Sequence, residues 1–152
     1  MELNDNQISA LNDLLKRNYD AARGYSEAAN AMDDKPLRSW LFKLAKMHRG
    51  FIDDLEATLL AKGAVPKPGG TFLGKLHRVW LNFVSSISAR NRQSILEECK
   101  RGARLAVEDY DHILDKALLP EDIQQEIRHQ RDNIEDEVHT INNLLPSTPL
   151  EK

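Results

Sequence analysis

At 152 residues, 41% hydrophobic and 30% charged, the chain has the size of one domain, too apolar for a disordered segment and too charged for a membrane span. Its single cysteine, Cys99, allows no internal disulfide, and a net charge of −3 excludes a general affinity for nucleic acid or anionic lipid. No run approaches the roughly 18 consecutive apolar residues of a transmembrane helix. The acidic, polar opening is the opposite of a secretory signal, so a cytoplasmic protein is expected.

Ile8, Leu11, Leu15, Ala22, Ala29 and Met32 recur at steps of three and four and predict one long helical face, interrupted by Asn18 and Tyr25. This helix spans about 3–32, with Asn4 or Asp5 to cap it. After Asp33-Asp34-Lys35, Pro36 fits the first turn of a second helix, about 36–62. Its inner face reads Leu37, Leu41, Leu44, His48, Phe51, Leu55 and Thr58, and Gly63 is its stop. Beyond the punctuated stretch from Gly63 to Gly70, Thr71 can cap an amphipathic helix over about 71–89, with Leu76, Val79, Trp80 and Phe83 in its stripe. A further helix, about 93–118, buries Leu96, Cys99, Ala103, Ala106, Tyr110 and Ile113. The last, about 120–145, starts at Pro120 and buries Ile123, Ile127, Ile134, Val138 and Ile141. Residues 147–152 read as a tail, which leaves a single helical domain over 1–146. No stretch alternates with period two, so no sheet is expected.

Two helices are joined tightly, two more are joined tightly, and a long segment lies between the pairs. A helix of about 18 residues in that segment would reach roughly 27 Å, close to the length of the bundle. Such a crossover lets the helix after it run parallel to the second helix, giving an all-α, one-crossover four-helix bundle.

That topology resembles the ferritin-like one. The stretch Leu11-Asn12-Asp13-Leu14-Leu15-Lys16-Arg17-Asn18, with Tyr25 following, is similar to the start of the first bacterioferritin helix, where Leu-Asn-x-Leu-Leu precedes a metal-binding glutamate. Over nearly its full length the chain also resembles a bacterial family of small ferritin-like bundles described only as a domain of unknown function. Gly74-Lys75-Leu76-His77-Arg78-Val79-Trp80 and Ile95-Leu96-Glu97-Glu98-Cys99-Lys100-Arg101-Gly102 carry that likeness.

The superfamily resemblance implies a di-metal centre: a carboxylate from each of two helices and a Glu-x-x-His pair from each of the other two. Two adjacent hard cations need several anionic oxygens, with imidazoles completing the sphere. Here Asn18 stands where the resemblance implies glutamate, and the second helix offers His48 but no Glu-x-x-His. Glu97 and Glu98 sit well off the face defined by Cys99, Ala103, Ala106 and Tyr110. Asp136-x-x-His139 matches the motif in the wrong phase, with His139 more than about 90° from the mean direction of Ile134, Val138 and Ile141. The inward polar residues are therefore Asn18, Tyr25, His48, Tyr110, Gln130 and Glu137, with Asn18, His48 and Glu137 near one mid-bundle level.

One carboxylate and one imidazole cannot hold two irons, so no cofactor and no ferroxidase or oxygenase activity is expected. Three readings of the layer stay open: a hydrogen-bonded cluster that fixes helix register, a single divalent metal at His48 and Glu137, or a small-molecule pocket. Glu98, Asp136 and His139 join the metal reading by resemblance alone. Tyr25 and Tyr110 read as core aromatics and Cys99 as a small hydrophobe. The basic residues Arg90, Arg92, Lys100, Arg101 and Arg104 are interleaved with Glu97, Glu98 and Glu108, a pattern that reads as a solvated face.

Trp80 and Phe83, along with Trp40, can plug the side of the bundle or form a homodimer contact. The sequence thus points to a non-enzymatic ferritin-like bundle acting through its helical surfaces or as a homo-oligomer. A stress-associated role is implied only by analogy with other small ferritin-like proteins. The alternative is a degenerate metal-binding protein with a partial site in its core.

Overall fold

Asn4 sets the start of the first helix: its side chain accepts from the Gln7 backbone N–H at 2.8 Å while the Gln7 side chain accepts from the Asn4 N–H at 2.8 Å. This reciprocal capping box satisfies two of the otherwise orphaned donors and launches α1 over Asp5–Asn30. The computed structural model describes residues 2–68 and 92–145. Within them three further helices follow, α2 over Lys35–Ala61, α3 over Arg92–Lys116 and α4 over Glu121–Leu144, with no strand among the described residues. The Asp34 side chain caps α2 by accepting from the Leu37 N–H at 3.1 Å, and Pro36 lies in its first turn. Pro120 begins α4 without a side-chain cap, and Glu121 and Asp122 place negative charge at that helix N-terminus. The expected helix over 71–89, with Trp80 and Phe83, and the tail over 147–152 lie outside the described residues.

The end of α2 shows why Gly63 is a stop. Its N–H donates to the Leu60 carbonyl at 3.0 Å, and the Ala64 N–H donates to the Leu59 carbonyl at 2.9 Å, which closes a Schellman turn. Gly63 adopts a φ of 81°, a left-handed conformation that costs other L residues energy. Ala64 then folds back among the buried side chains beside Leu59.

Side-chain bonds fix the direction of every helix. Tyr19 pairs with Glu56 and Ser26 with Arg49, so α1 and α2 are antiparallel. Gln7 reaches the Leu118 carbonyl and Arg17 reaches Asp109, so α1 and α3 are antiparallel as well. Thr58 meets Glu126 and His48 meets Glu137, which sets α4 antiparallel to α2. It follows that α3 runs parallel to α2.

The buried apolar side chains form two clusters rather than one. The first holds Leu11, Leu14, Leu15, Leu55, Ile123 and Ile127 among others, and the second holds Ala28, Leu37, Leu41, Ile95, Leu96 and Ile141 among others. The boundary passes between Ala22 and Tyr25 on α1, Ala45 and Phe51 on α2, Cys99 and Ala103 on α3, and Val138 and Ile141 on α4. His48, Tyr25 and Glu137 sit at that boundary, buried and polar or polar-tipped.

Two glycine substitutions separate backbone effects of opposite sign. Gly63→Ala forces a Cβ into the left-handed region and should destabilise the fold by about 1–2 kcal/mol. Gly50→Ala, on an exposed turn of α2 where an added Cβ meets nothing within 4 Å, should stabilise it by about 0.5–1 kcal/mol. Urea-unfolding midpoints of the two variants should move in opposite directions.

Candidate functional site

The polar residues on the inner faces do not stand alone; they form one continuous hydrogen-bonded chain across all four helices. Asn18 projects from α1 to the middle of the bundle because Leu11, Leu14 and Leu15 hold the preceding turns in the core. Its Nδ2 donates to the Leu14 carbonyl at 2.8 Å and to the Tyr110 hydroxyl at 2.8 Å, using both amide protons. Its Oδ1 faces Nδ1 of His48 at 2.7 Å. Since the Leu14 carbonyl can only accept, the amide orientation is fixed, and His48 Nδ1 must carry a proton.

Nε2 of His48 lies 2.9 Å from Glu137 Oε1. With Nδ1 protonated, that contact holds one proton in either neutral arrangement: imidazolium with carboxylate, or neutral imidazole with carboxylic acid. The other Glu137 oxygen accepts from the Tyr25 hydroxyl at 3.1 Å. On the far side of Asn18, Tyr110 donates to Gln130 Oε1 at 2.7 Å, and Gln130 Nε2 lies 3.5 Å from Glu126. Glu126 also accepts from Thr58 at 2.5 Å. The Tyr25 ring, 5.6 Å from the imidazole, and the Phe51 edge, 5.7 Å away, close the apolar sides of His48. All six residues expected to face inward, Asn18, Tyr25, His48, Tyr110, Gln130 and Glu137, are buried and joined in this network.

A second buried element was not foreseen. Arg17 on α1 pairs with Asp109 on α3, their side chains 5% and 11% exposed, one residue along from Asn18 and Tyr110. This ion pair clamps α1 to α3 at the level of the polar layer. Each member carries a full charge beside an expected inward residue, and a charged type reads as surface from sequence. The neighbouring Asn12, also unforeseen on the inner side, accepts from the Lys67 N–H at 2.6 Å and ties down the segment after α2.

Glu98 corrects the expectation drawn from helix phase. Glu97 is exposed, but the Glu98 side chain is only 13% exposed; it pairs with Arg101 and lines a cavity between α1 and α3. The cause is the width of the buried arc on α3. Residues 98, 102 and 106 form a ridge beside the 99, 103 and 110 ridge, and small residues at Gly102 and Ala106 expose it to the space facing α1. Asp136 and His139 are both exposed, as their phase demanded. Cys99 is a buried free thiol, and Trp40 is half-buried against the second apolar cluster.

Could these residues hold metal? Among the described residues no group of three or more His, Cys, Asp or Glu side chains converges in a way that fits an ion. The chemistry of the donors agrees: both His48 nitrogens are committed, to Asn18 and Glu137, and Asn18, Tyr110 and Gln130 are neutral groups already paired with one another. This set does not fit a pair of hard cations. Nor does the network conduct protons from end to end, because the amides of Asn18 and Gln130 interrupt it.

Burial pushes the Tyr25 phenol well above its ordinary value, with the neighbouring Glu137 carboxylate adding to the rise. Burial likewise raises the Tyr110 phenol and the Cys99 thiol. Cys99 is thus held as an unreactive thiol.

A family model described as Domain of unknown function (DUF2383) matches residues 6–116, which takes in α1 from its second residue, α2 and α3. No curated protein matches the sequence.

Two outcomes test the network. Glu137→Gln can donate to His48 Nε2 and accept from Tyr25, so it should cost no more than about 1 kcal/mol in unfolding free energy. Glu137→Ala strands both partners and should cost about 3–5 kcal/mol. The second concerns pH. Tyr25, Tyr110 and Cys99 keep their protons longer folded than unfolded, so their contribution is fully present at neutral pH and is lost as pH rises. The urea midpoint should therefore decline above about pH 9, where unfolded cysteine and then tyrosine ionise. Tyrosinate absorbance from the two buried tyrosines should rise only together with unfolding.

Proposed function

We propose, for this chain, which belongs to the DUF2383 family, a ferritin-like bundle whose centre is a metal-free hydrogen-bonded layer. It acts without catalysis, through its helical surfaces, as a homo-oligomer. One observation carries the reading: both ring nitrogens of His48 are engaged, by Asn18 and Glu137, so a metal at the lone central imidazole must displace a hydrogen-bond partner. The up-down-down-up order of the helices supports the ferritin-like topology and calls for a crossover between α2 and α3, the place of the amphipathic stretch with Trp80 and Phe83. A bacterial, cytoplasmic member of that superfamily is the corresponding identity.

Association of copies is supported by the end of the bundle where α2 and α3 finish. Leu60, Val65 and Leu118 are 61%, 66% and 77% exposed there, apolar surface that a second copy can cover. A degenerate single-metal site at His48 and Glu137 is the alternative, and it requires the imidazole to leave one of its present partners.

Elemental analysis of protein purified without chelators or a histidine tag should find metal far below one equivalent, and ferrous iron should oxidise no faster than in buffer. A stoichiometric metal that is lost in Glu137→Gln would replace this reading with the alternative. Light scattering should show mass above the monomer at micromolar concentration; a monomer at every concentration would remove the homo-oligomer.

A further inference from the structure

Charge is sorted along α2. Its first half carries Lys35, Arg38, Lys43, Lys46 and Arg49 and no acid, and the turns that follow carry Asp53, Asp54 and Glu56 and no base. The helix macrodipole favours the reverse, acids first and bases last, as Glu121 and Asp122 at the start of α4 illustrate. On α2 the first turn holds no acid and the last turn no base. Neither charged group forms an ion pair with a described residue. Arg49 lies one turn before Asp53, yet its guanidinium turns to the Ser26 hydroxyl on α1, 3.3 Å away. The fold of a single chain gains nothing from this order.

Most of these charges share one face. At about 100° per residue, Lys35, Arg38, Lys46, Arg49, Asp53 and Glu56 point within about 40° of one direction. The bonds of Arg49 to Ser26 and of Glu56 to Tyr19 mark it as the side that looks out beside α1. Phe42 and Leu60, both exposed, lie five full turns apart and therefore project along the middle of the same face. The Arg38 guanidinium stacks over the Phe42 ring at 5.8 Å. From α1, Tyr19 adds a further exposed ring, and with Arg23, Arg49 and Asp53 it lines the groove between the two helices.

An anionic partner at this face would meet Asp53 and Glu56 beside the bases, and a cationic one would meet Lys46 and Arg49. The surface fits a partner that carries the same two charges in the opposite order along its length, and an antiparallel copy of α2 is such a partner. We propose that this face pairs with itself across two copies of the chain, α2 against α2, about a two-fold axis level with Phe51. Phe42 then meets Leu60 of the second copy, Arg49 meets its Asp53, and Lys46 meets its Glu56, each contact occurring twice by symmetry. From Lys35 to Leu60, α2 with α1 beside it presents a face of roughly 38 Å by 20 Å, close to the about 800 Å² per partner that a stable interface buries. The proposal rests on the homo-oligomeric reading of the function and names the surface it uses.

Sedimentation equilibrium of the intact chain at micromolar concentrations tests both, separately. The unaltered protein should dimerise, and its dissociation constant should rise several-fold between about 0.1 and 1 M sodium chloride as the charge pairs are screened. Lys46→Glu with Arg49→Glu makes the face wholly acidic at its centre, and Asp53→Lys with Glu56→Lys makes it wholly basic. Each variant alone should dimerise at least about tenfold more weakly, since like charges then face one another. An equimolar mixture of the two should dimerise again, because every pair across the axis regains opposite signs. Should either variant lose its helical circular dichroism, Arg49→Glu and Asp53→Lys, mixed in the same way, decide. Variants that dimerise as tightly as the unaltered chain, or whose mixture stays monomeric, would overturn this surface and leave association through another one. A monomer at every concentration in the unaltered protein would remove the homo-oligomer and this surface with it.

Discussion

The orientation of one amide governs the centre of this protein. Asn18 donates to the Leu14 carbonyl of its own helix, and this internal bond leaves the amide oxygen no freedom to turn away from His48. The imidazole is thereby fixed with a proton on Nδ1, and its other nitrogen shares a proton with Glu137. From there the order passes to Tyr25 in one direction and through Tyr110 to Gln130 in the other. Every helix contributes a member. A slip of one residue in any helix would take that member out of reach and leave several buried groups without partners, which is how a polar layer selects one register in a bundle of otherwise interchangeable apolar stripes.

Helix identity and helix order were legible in the sequence because they depend on periodicity and punctuation. Steps of three and four placed the core faces, and Asn4, Pro36, Gly63 and Pro120 marked ends that the structure places within about two residues. The inward polar residues were legible for the same reason: Asn18, His48, Gln130 and Glu137 each fall on an apolar stripe, where a polar side chain stands out. What periodicity does not reveal is how wide each stripe is. Arg17, Asp109 and Glu98 flank their stripes rather than interrupt them, so they read as solvent-facing until the neighbouring helix supplies a partner or a gap.

The fourth helix shows how phase outranks motif. Asp136 and His139 have the spacing of a metal-binding pair, yet both face solvent. Glu137, one residue along and without any motif around it, reaches the core because about 100° of rotation separates neighbours on a helix. A spacing rule identifies residues that can act together on one face; it says nothing about which face that is. The apolar residues Ile134, Val138 and Ile141 supply the missing reference.

The choice of amides at the centre follows from the same physics. Four helices meeting around several carboxylates would concentrate negative charge in a low-dielectric core, which is tolerable only with cations or protons to balance it. An amide donates and accepts at once and carries no charge, so Asn18 and Gln130 can each bridge neighbours on different helices with nothing added. Among the six inward residues only Glu137 has a carboxyl, and it lies beside the one side chain able to share a proton with it. The layer is therefore self-sufficient in charge.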